Sequence, residues 1–386
     1  GPLCRRIFEA MSGLTTTGST VLSGLENLPK GLLLWRGILQ WLGGIGIIVV
    51  AMVFLPELRV GGMQIFKAEA FDTLGKILPR ATTISIQISF IYVSITMACV
   101  VAYFAVGMSA FDATVHAMTT VATGGFSNYD ASFAAFPAAV EYVAVVFMIL
   151  AALPFVRYVQ LLNGNQTAVF KDAQVRSFLT VIFALVVMTA LVLLSFDQLE
   201  KETAVRKALF NITSIISGTG YASSDYMQWG SFLVTLFFFI GLIGGCAGST
   251  ACSVKIFRYQ LVFASVKTQL MKIKSPNGVF VPQYDGRAIN DEVLNSVMSF
   301  FTFFLATLGA VAVLLGMTGL DFITSLSAAA SALANIGPGL GAEIGPTGNF
   351  SGLNDTAKWI LSAAMLIGRL ELLAVYAILT VQFWRA

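Results

Sequence analysis

Long uninterrupted runs of apolar residues dominate this chain. They fall near 32–55, 81–106, 138–162, 178–196, 231–266, 297–317 and 359–384. An α-helix needs about 20 apolar residues to cross the hydrocarbon of a bilayer. Lipid accepts only helices or closed barrels, and these runs are too long and continuous for barrel strands. The expected fold is therefore all-α and integral to the membrane, with no sheet.

Composition supports this reading. Of 386 residues, 57% are hydrophobic and 11% charged. A soluble domain carries about 25% charged residues, so this chain lacks the charge to cover a globule of its size. The net charge of +3 says little, but its distribution says more. Basic residues gather in 56–80, 157–177 and 255–290, whereas 107–140 and 338–357 hold no Lys or Arg. By the positive-inside rule the first group is cytoplasmic and the second external. The stretch 197–207 is mixed. The chain opens Gly1-Pro2 with no signal peptide in view, and the expectation is that the natural N-terminus lies upstream.

Four short segments resemble one another: Ser12 to Ser19, Thr119 to Phe126, Thr213 to Gly220 and Ser331 to Pro338. Each is a run of small, hydroxyl or apolar residues reaching a glycine, at Gly18, Gly124, Gly218 and Gly337. These recur about one hundred residues apart, too long for a solenoid repeat. The period suits a helix, a short re-entrant segment and a second helix. The chain then divides into repeat 1 at 1–60, which lacks a first span, repeat 2 at 61–165, repeat 3 at 166–275 and repeat 4 at 276–386. The stretches 111–118 and 320–327 predict short helices entering from outside, with Asp112 and Asp321 suited to their N-termini.

A short helix ending at mid-membrane aims the negative end of its dipole at the centre. Extended backbone beyond it can replace an ion's hydration shell with carbonyl oxygens. Glycine reaches φ > 0 there without a Cβ penalty. The candidate ion ligands are Thr16, Thr17 and Gly18; Ala122, Thr123 and Gly124; Ile216, Ser217 and Gly218; and Asn335, Ile336 and Gly337. The four glycines are expected to converge on one axis. Helix-packing glycines at small-xxx-small spacing do not explain the period.

Two further features stand out. Gly244, Gly245, Ala247, Gly248 and Ser249 interrupt the run 231–266, and glycine disfavours helix by about 1 kcal/mol each against Ala. The middle of that run should unwind, which at membrane depth survives only where it is buried or lines a cavity. A flexible gate below the glycine ring is one reading and a close helix crossing the other. Arg369 lies in the last apolar run, where a charge is a functional hypothesis by default. It is either a positive charge under the ring or a member of a buried ion pair. Glu371, two residues on, faces elsewhere on a helix.

Other chemistry is excluded or weak. His116 is the only histidine and reads as a packing or interfacial residue of a short helix, so no multi-His metal site or H-E-x-x-H protease helix exists. Paired Asp or Ser–His residues for an intramembrane protease are missing. Cys246 and Cys252 lack metal-ligand spacing and read as small apolar fillers. Gly337-Pro338-Gly339-Leu340-Gly341 has no preceding strand and no P-loop Lys. The chain is read as a transporter, not an enzyme, with no cofactor of its own and no nucleic-acid partner.

The residues Gly-Leu-Thr-Thr-Thr-Gly at 13–18, Ala-Thr-Gly-Gly-Phe-Ser at 122–127, Gly-Thr-Gly-Tyr at 218–221 and Asn-Ile-Gly-Pro-Gly-Leu-Gly at 335–341 carry a resemblance. Gly-Gly-Cys-Ala-Gly-Ser-Thr at 244–250 and Gly-Arg-Leu-Glu at 368–371 extend it. Over essentially its whole length the chain resembles the membrane subunit of the Trk/Ktr/HKT superfamily of K⁺ transporters, nearest the bacterial Trk type. The resemblance implies a fourfold pseudo-symmetric K⁺ pore in the bacterial cytoplasmic membrane and a homodimer. It also implies a cytosolic ring of RCK nucleotide-binding subunits that gates the pore. Ion-coupled K⁺ symport stays open beside channel-like flow. Members of this superfamily begin further upstream.

Overall fold

The computed structural model describes residues 1–53, 81–195, 200–372 and 375–376, with backbone alone at 50–53 and 81–84. The basic stretch 56–80 and the end of the last apolar run lie outside the described residues.

The apolar runs become helices. The first repeat consists of α1 (Pro2–Leu14) and α2 (Lys30–Val53). The second has α3 (Ala81–Ala105), α4 (Ala110–Val121), α5 (Ala138–Ala152) and α6 (Phe155–Leu162). A short α7 (Ala168–Lys171) leads to the third, α8 (Ala173–Ser195), α9 (Lys201–Ser217), α10 (Ser231–Gly241) and α11 (Ile256–Lys274). The fourth is α12 (Asp291–Gly316), α13 (Phe322–Ala334) and α14 (Asp355–Arg369). Among the described residues, segments of α2, α3, α8 and α12 are long and apolar enough to cross a membrane. Outward-facing Phe90, Val101, Phe104, Phe183 and Leu191 suit contact with lipid.

The structure departs from the sequence expectation in three places. The run 138–162 is two helices bent by 88°. Pro154 has no N–H to donate, and Leu153 before it is extended, as a residue preceding proline tends to be. The run 231–266 loses its helix over 242–255 as expected, whereas the last run breaks after Arg369, where Glu371 takes φ 55°. A two-stranded hairpin, β1 (Gln283–Tyr284) with β2 (Arg287–Ala288), stands between α11 and α12, where no sheet was expected. Its turn, Asp285-Gly286, has positive φ at both residues, the backbone twist that matches paired strands.

Helix α13 begins as expected, with the Asp321 carboxylate accepting the Ile323 and Thr324 amides at 3.1 and 3.2 Å. Helix α4 does not. Ser109 is its cap, accepting the Asp112 amide at 3.1 Å, and the Asp112 carboxylate returns to the Ser109 hydroxyl at 2.7 Å. Burial alone raises the Asp112 carboxyl pKa. Hydrogen bonds from Asn128, Ser109 and Tyr129 outweigh that and hold it below the usual carboxylate value.

Four short helices, α1, α4, α9 and α13, each pack on the span that follows in their own repeat. Each also packs on the inner span of the preceding repeat: α4 on α2, α9 on α5, α13 on α10, and α1 on α14. The last contact closes a circle, and the C-termini of the short helices meet inside it.

Candidate ion pathway

The four short helices end in one repeated hydrogen-bond motif. The amides of Thr17, Gly124, Thr219 and Ile336 donate to the carbonyls five residues back, on Ser12, Thr119, Ser214 and Ser331, at 2.9, 2.8, 2.9 and 3.0 Å. The residue before each of these is left-handed: Thr16, Thr123, Gly218 and Asn335, at φ 53°, 49°, 76° and 51°. Its amide donates three residues back, the second bond of a Schellman cap. The cap turns the chain off the helix axis at the same place in all four repeats.

This phase corrects the sequence alignment. Two residues beyond each left-handed residue stand Gly18, Gly125, Gly220 and Gly337, all at positive φ. Gly125 and Gly220, not Gly124 and Gly218, match Gly18 and Gly337. Gly218 is the cap residue itself, Ile216 and Ser217 are the last residues of α9, and Ala122 caps α4. The sequence was ambiguous because Gly124-Gly125 and Gly218-Thr219-Gly220 each offer two glycines.

The four matched glycines touch in order. A Cβ on Gly18 would collide with the carbonyl oxygen of Gly124, one on Gly125 with that of Thr219, and one on Gly220 with that of Ile336. A Cβ on Gly337 would lie 2.8 Å from the Thr17 oxygen. Each repeat thus presents the carbonyl before its glycine to the glycine of the preceding repeat, and the fourth returns to the first. All four glycines line one cavity of about 160 Å³, with Ser19, Arg36 and Asp130 among its walls. Among the described residues, the Thr17, Thr219 and Ile336 carbonyl oxygens accept no hydrogen bond. Buried carbonyls are rarely left unpaired.

Close packing behind the ring also needs glycine. A Cβ on Gly43 of α2 would collide with the Leu14 carbonyl at the end of α1, and one on Gly368 of α14 with that of Leu333 in α13. Arg36, buried in α2, donates to Glu9 at 2.8 Å and to the Ser127 carbonyl at 3.0 Å, with its guanidinium 4.1 Å from the Phe126 ring. Glu9 also accepts the Val21 amide at 2.9 Å, so this pair ties repeat 1 to repeat 2 beside the ring. The lone His116 packs as expected, bonded to Ser127 and to the Asp112 carbonyl.

On another side of the ring lies the non-helical stretch 242–255. Gly244, Gly245, Ala247, Gly248 and Ser249 are all buried, and the stretch is well bonded rather than loose. The break between α5 and α6 frees backbone groups, and this stretch takes them. The Cys246 amide donates to the Ala152 carbonyl at 3.0 Å, the Thr250 amide to Ala151 at 3.3 Å, and the Phe155 amide to Gly248 at 2.9 Å. The Ala247 amide donates to the Gln174 side chain at 2.8 Å.

Arg369 ends α14 and reaches this stretch. Its guanidinium donates to the Thr250 carbonyl at 3.4 Å and to the Gly43 carbonyl at 3.2 Å, and Nη1 lies 2.7 Å from the Cys252 sulphur. Among the described residues it forms no ion pair. Glu371 is the paired group, accepting from Lys255 at 3.1 Å and Arg258 at 2.6 Å, with Arg258 stacked 3.7 Å from the Phe300 ring centroid. The two residues have different partners, but not as two faces of one helix, because α14 ends at Arg369 and Glu371 lies beyond it at positive φ.

The sequence profile of the TrkH family, described as a cation transport protein, matches residues 2–383. The chain belongs to the TrkH family of cation transport proteins. It is 45% identical to the Trk system potassium uptake protein TrkI of Halomonas elongata over 99% of this chain and 78% of that protein. It is 38% identical to the TrkH protein of Vibrio parahaemolyticus over 98% of this chain and 79% of that protein. The crystal structure of the potassium transporter TrkH from Vibrio parahaemolyticus superposes with a TM-score of 0.90 at 35% identity, covering 99% of this chain and 79% of that one. Like other TrkH-family chains, this one is a transporter rather than an enzyme, an all-α multi-pass protein of the bacterial inner membrane.

The sequence reading missed Arg36, Glu9 and the partners of Glu371. Arg36 is the seventh residue of an apolar helix, a signal of the kind that singled out Arg369.

Proposed function

We propose that this protein takes up K⁺ through the ring formed by Thr17-Gly18, Gly124-Gly125, Thr219-Gly220 and Ile336-Gly337. The observation that supports this is the closed order of glycine against carbonyl, with three of the four carbonyls lacking a donor among the described residues. Such oxygens suit an ion that has shed its water. The helix C-termini behind them contribute partial negative charge. The potassium uptake names of its relatives agree in substrate.

The stretch 242–255 and Arg369 form the gate in this reading, and four repeats divided at 1–60, 61–165, 166–275 and 276–386 form the pore. Relatives are named as parts of a Trk system, which suits a regulatory partner. A cytosolic RCK-type nucleotide-binding ring would dock on the basic segments 157–177 and 255–290, together with 56–80. The working unit is a homodimer. Coupling of K⁺ to Na⁺ or H⁺ is the alternative within the same pathway. The test is reconstitution in liposomes, with ⁸⁶Rb⁺ uptake competed by K⁺ and by Na⁺. K⁺ competes and Na⁺ does not if the ring selects K⁺. Equal competition, or no uptake with the protein inserted, overturns the assignment.

A further inference from the structure

The four ring carbonyls are not equivalent. The Gly124 oxygen accepts a hydrogen bond from the Gln40 side-chain amide at 2.6 Å. The same side chain accepts the Phe126 amide at 3.1 Å. Gln40 belongs to α2 of repeat 1 and is fully buried, so it reaches across to grip the second repeat's stretch on both sides of Gly125. This grip explains Gly124. Its φ is not positive, but a Cβ there would overlap the Gln40 amide group.

We infer that Gln40 is a positioning residue for ion selectivity. Its donor and acceptor together fix the Gly124-Gly125-Phe126 stretch, and with it one side of the ring. A ring that holds its spacing discriminates K⁺ from the smaller Na⁺, and one free to contract on the second repeat's side discriminates less. This rests on the proposed potassium pathway. An amide is required because only a group that donates and accepts at once satisfies both backbone partners.

The test compares the K⁺/Na⁺ flux ratio of wild type, Gln40→Leu and Gln40→Glu in liposomes, with inserted protein and melting temperature measured for each. Gln40→Leu removes both hydrogen bonds and is expected to lower the ratio about tenfold or more, the scale of two lost buried hydrogen bonds. Gln40→Glu carries the sharper signature. A neutral carboxyl donates and accepts as the amide does, whereas a carboxylate only accepts. Its ratio should be near wild type at acidic pH and fall as pH rises, while wild type and Gln40→Leu stay flat. A purely structural residue produces no such titration. If wild type fails to discriminate K⁺ from Na⁺, the pathway itself is undone. If wild type is selective and both variants match it at every pH, Gln40 alone loses its role. Should Gln40→Leu not insert, the Gln40→Glu titration decides, and a pH-independent ratio overturns the inference.

Discussion

The guanidinium of Arg369 lies 2.7 Å from the sulphur of Cys252, and the Thr16 hydroxyl lies 3.6 Å from that same sulphur. Three parts of the chain therefore meet at one thiol: the first repeat's ring stretch, the end of the 242–255 stretch, and the last helix of repeat 4. Among the described residues no carboxylate neutralises Arg369, whose guanidinium contacts the Thr250 and Gly43 carbonyls and the Cys252 sulphur.

Arg369→Ala should raise basal K⁺ flux. A guanidinium stays charged, and at about 4 Å it opposes a passing cation by roughly 4 kcal/mol at an effective dielectric near 20. Arg369→Lys should raise flux less, since it keeps the charge and loses the planar fork. The measurement is ⁸⁶Rb⁺ uptake by reconstituted protein without any partner, at equal inserted protein. Flux unchanged in Arg369→Ala would remove the charge from the gate.

The register of the ring is tested by alanine at neighbouring glycines. Gly125→Ala and Gly220→Ala drive a Cβ into the next repeat's carbonyl, so uptake should be lost or the protein should fail to insert. Gly218→Ala should be milder. Its φ of 76° makes alanine unfavourable by about 1–2 kcal/mol, and the new Cβ meets only the Cys252 side chain and backbone, nearest at 3.3 Å. The reverse order of severity would restore Gly218 as the matched glycine.

This contrast also marks where sequence was informative. Hydrophobic runs, the hundred-residue period and the unwound glycine stretch were visible because composition alone dictates them. Gly124 and Gly125 could not be told apart, since the choice depends on which one meets the neighbouring repeat. The α5–α6 bend was hidden although Pro154 was in plain view, because hydropathy continues across it. The groups it frees on Ala151, Ala152 and Phe155 are satisfied by a segment about ninety residues away, around Gly248.

Glu371→Gln should destabilise the protein. The carboxylate is buried between Lys255 and Arg258, and removing one partner of a buried pair typically costs about 3–5 kcal/mol because it strands the other charge. The expected result is a clear drop in detergent melting temperature. Glu371→Asp should fall between Gln and wild type. A melting temperature equal to wild type in Glu371→Gln would show that Lys255 and Arg258 find other partners.

Shortening the chain within Gly244–Ser249 should raise basal flux more than Arg369→Ala does. In the proposed reading the segment is a steric plug, held by the amides of Cys246, Thr250 and Ala247 donating to Ala152, Ala151 and the Gln174 side chain, and by the Phe155 amide donating to Gly248. Deletion removes the plug but also strips the α5–α6 break of its partners, so some loss of stability should accompany the leak. Gly248→Ala separates the two effects. At φ 72° an alanine is disfavoured by about 1–2 kcal/mol, which biases the segment away from its closed path without deleting a bond. Flux should then rise modestly, and the rise should add to that of Arg369→Ala if plug and charge act independently. The readout is single-variant and double-variant ⁸⁶Rb⁺ uptake at matched insertion. A deletion variant that inserts, keeps its melting temperature and conducts no more than wild type would mean that 242–255 braces the α5–α6 bend and gates nothing.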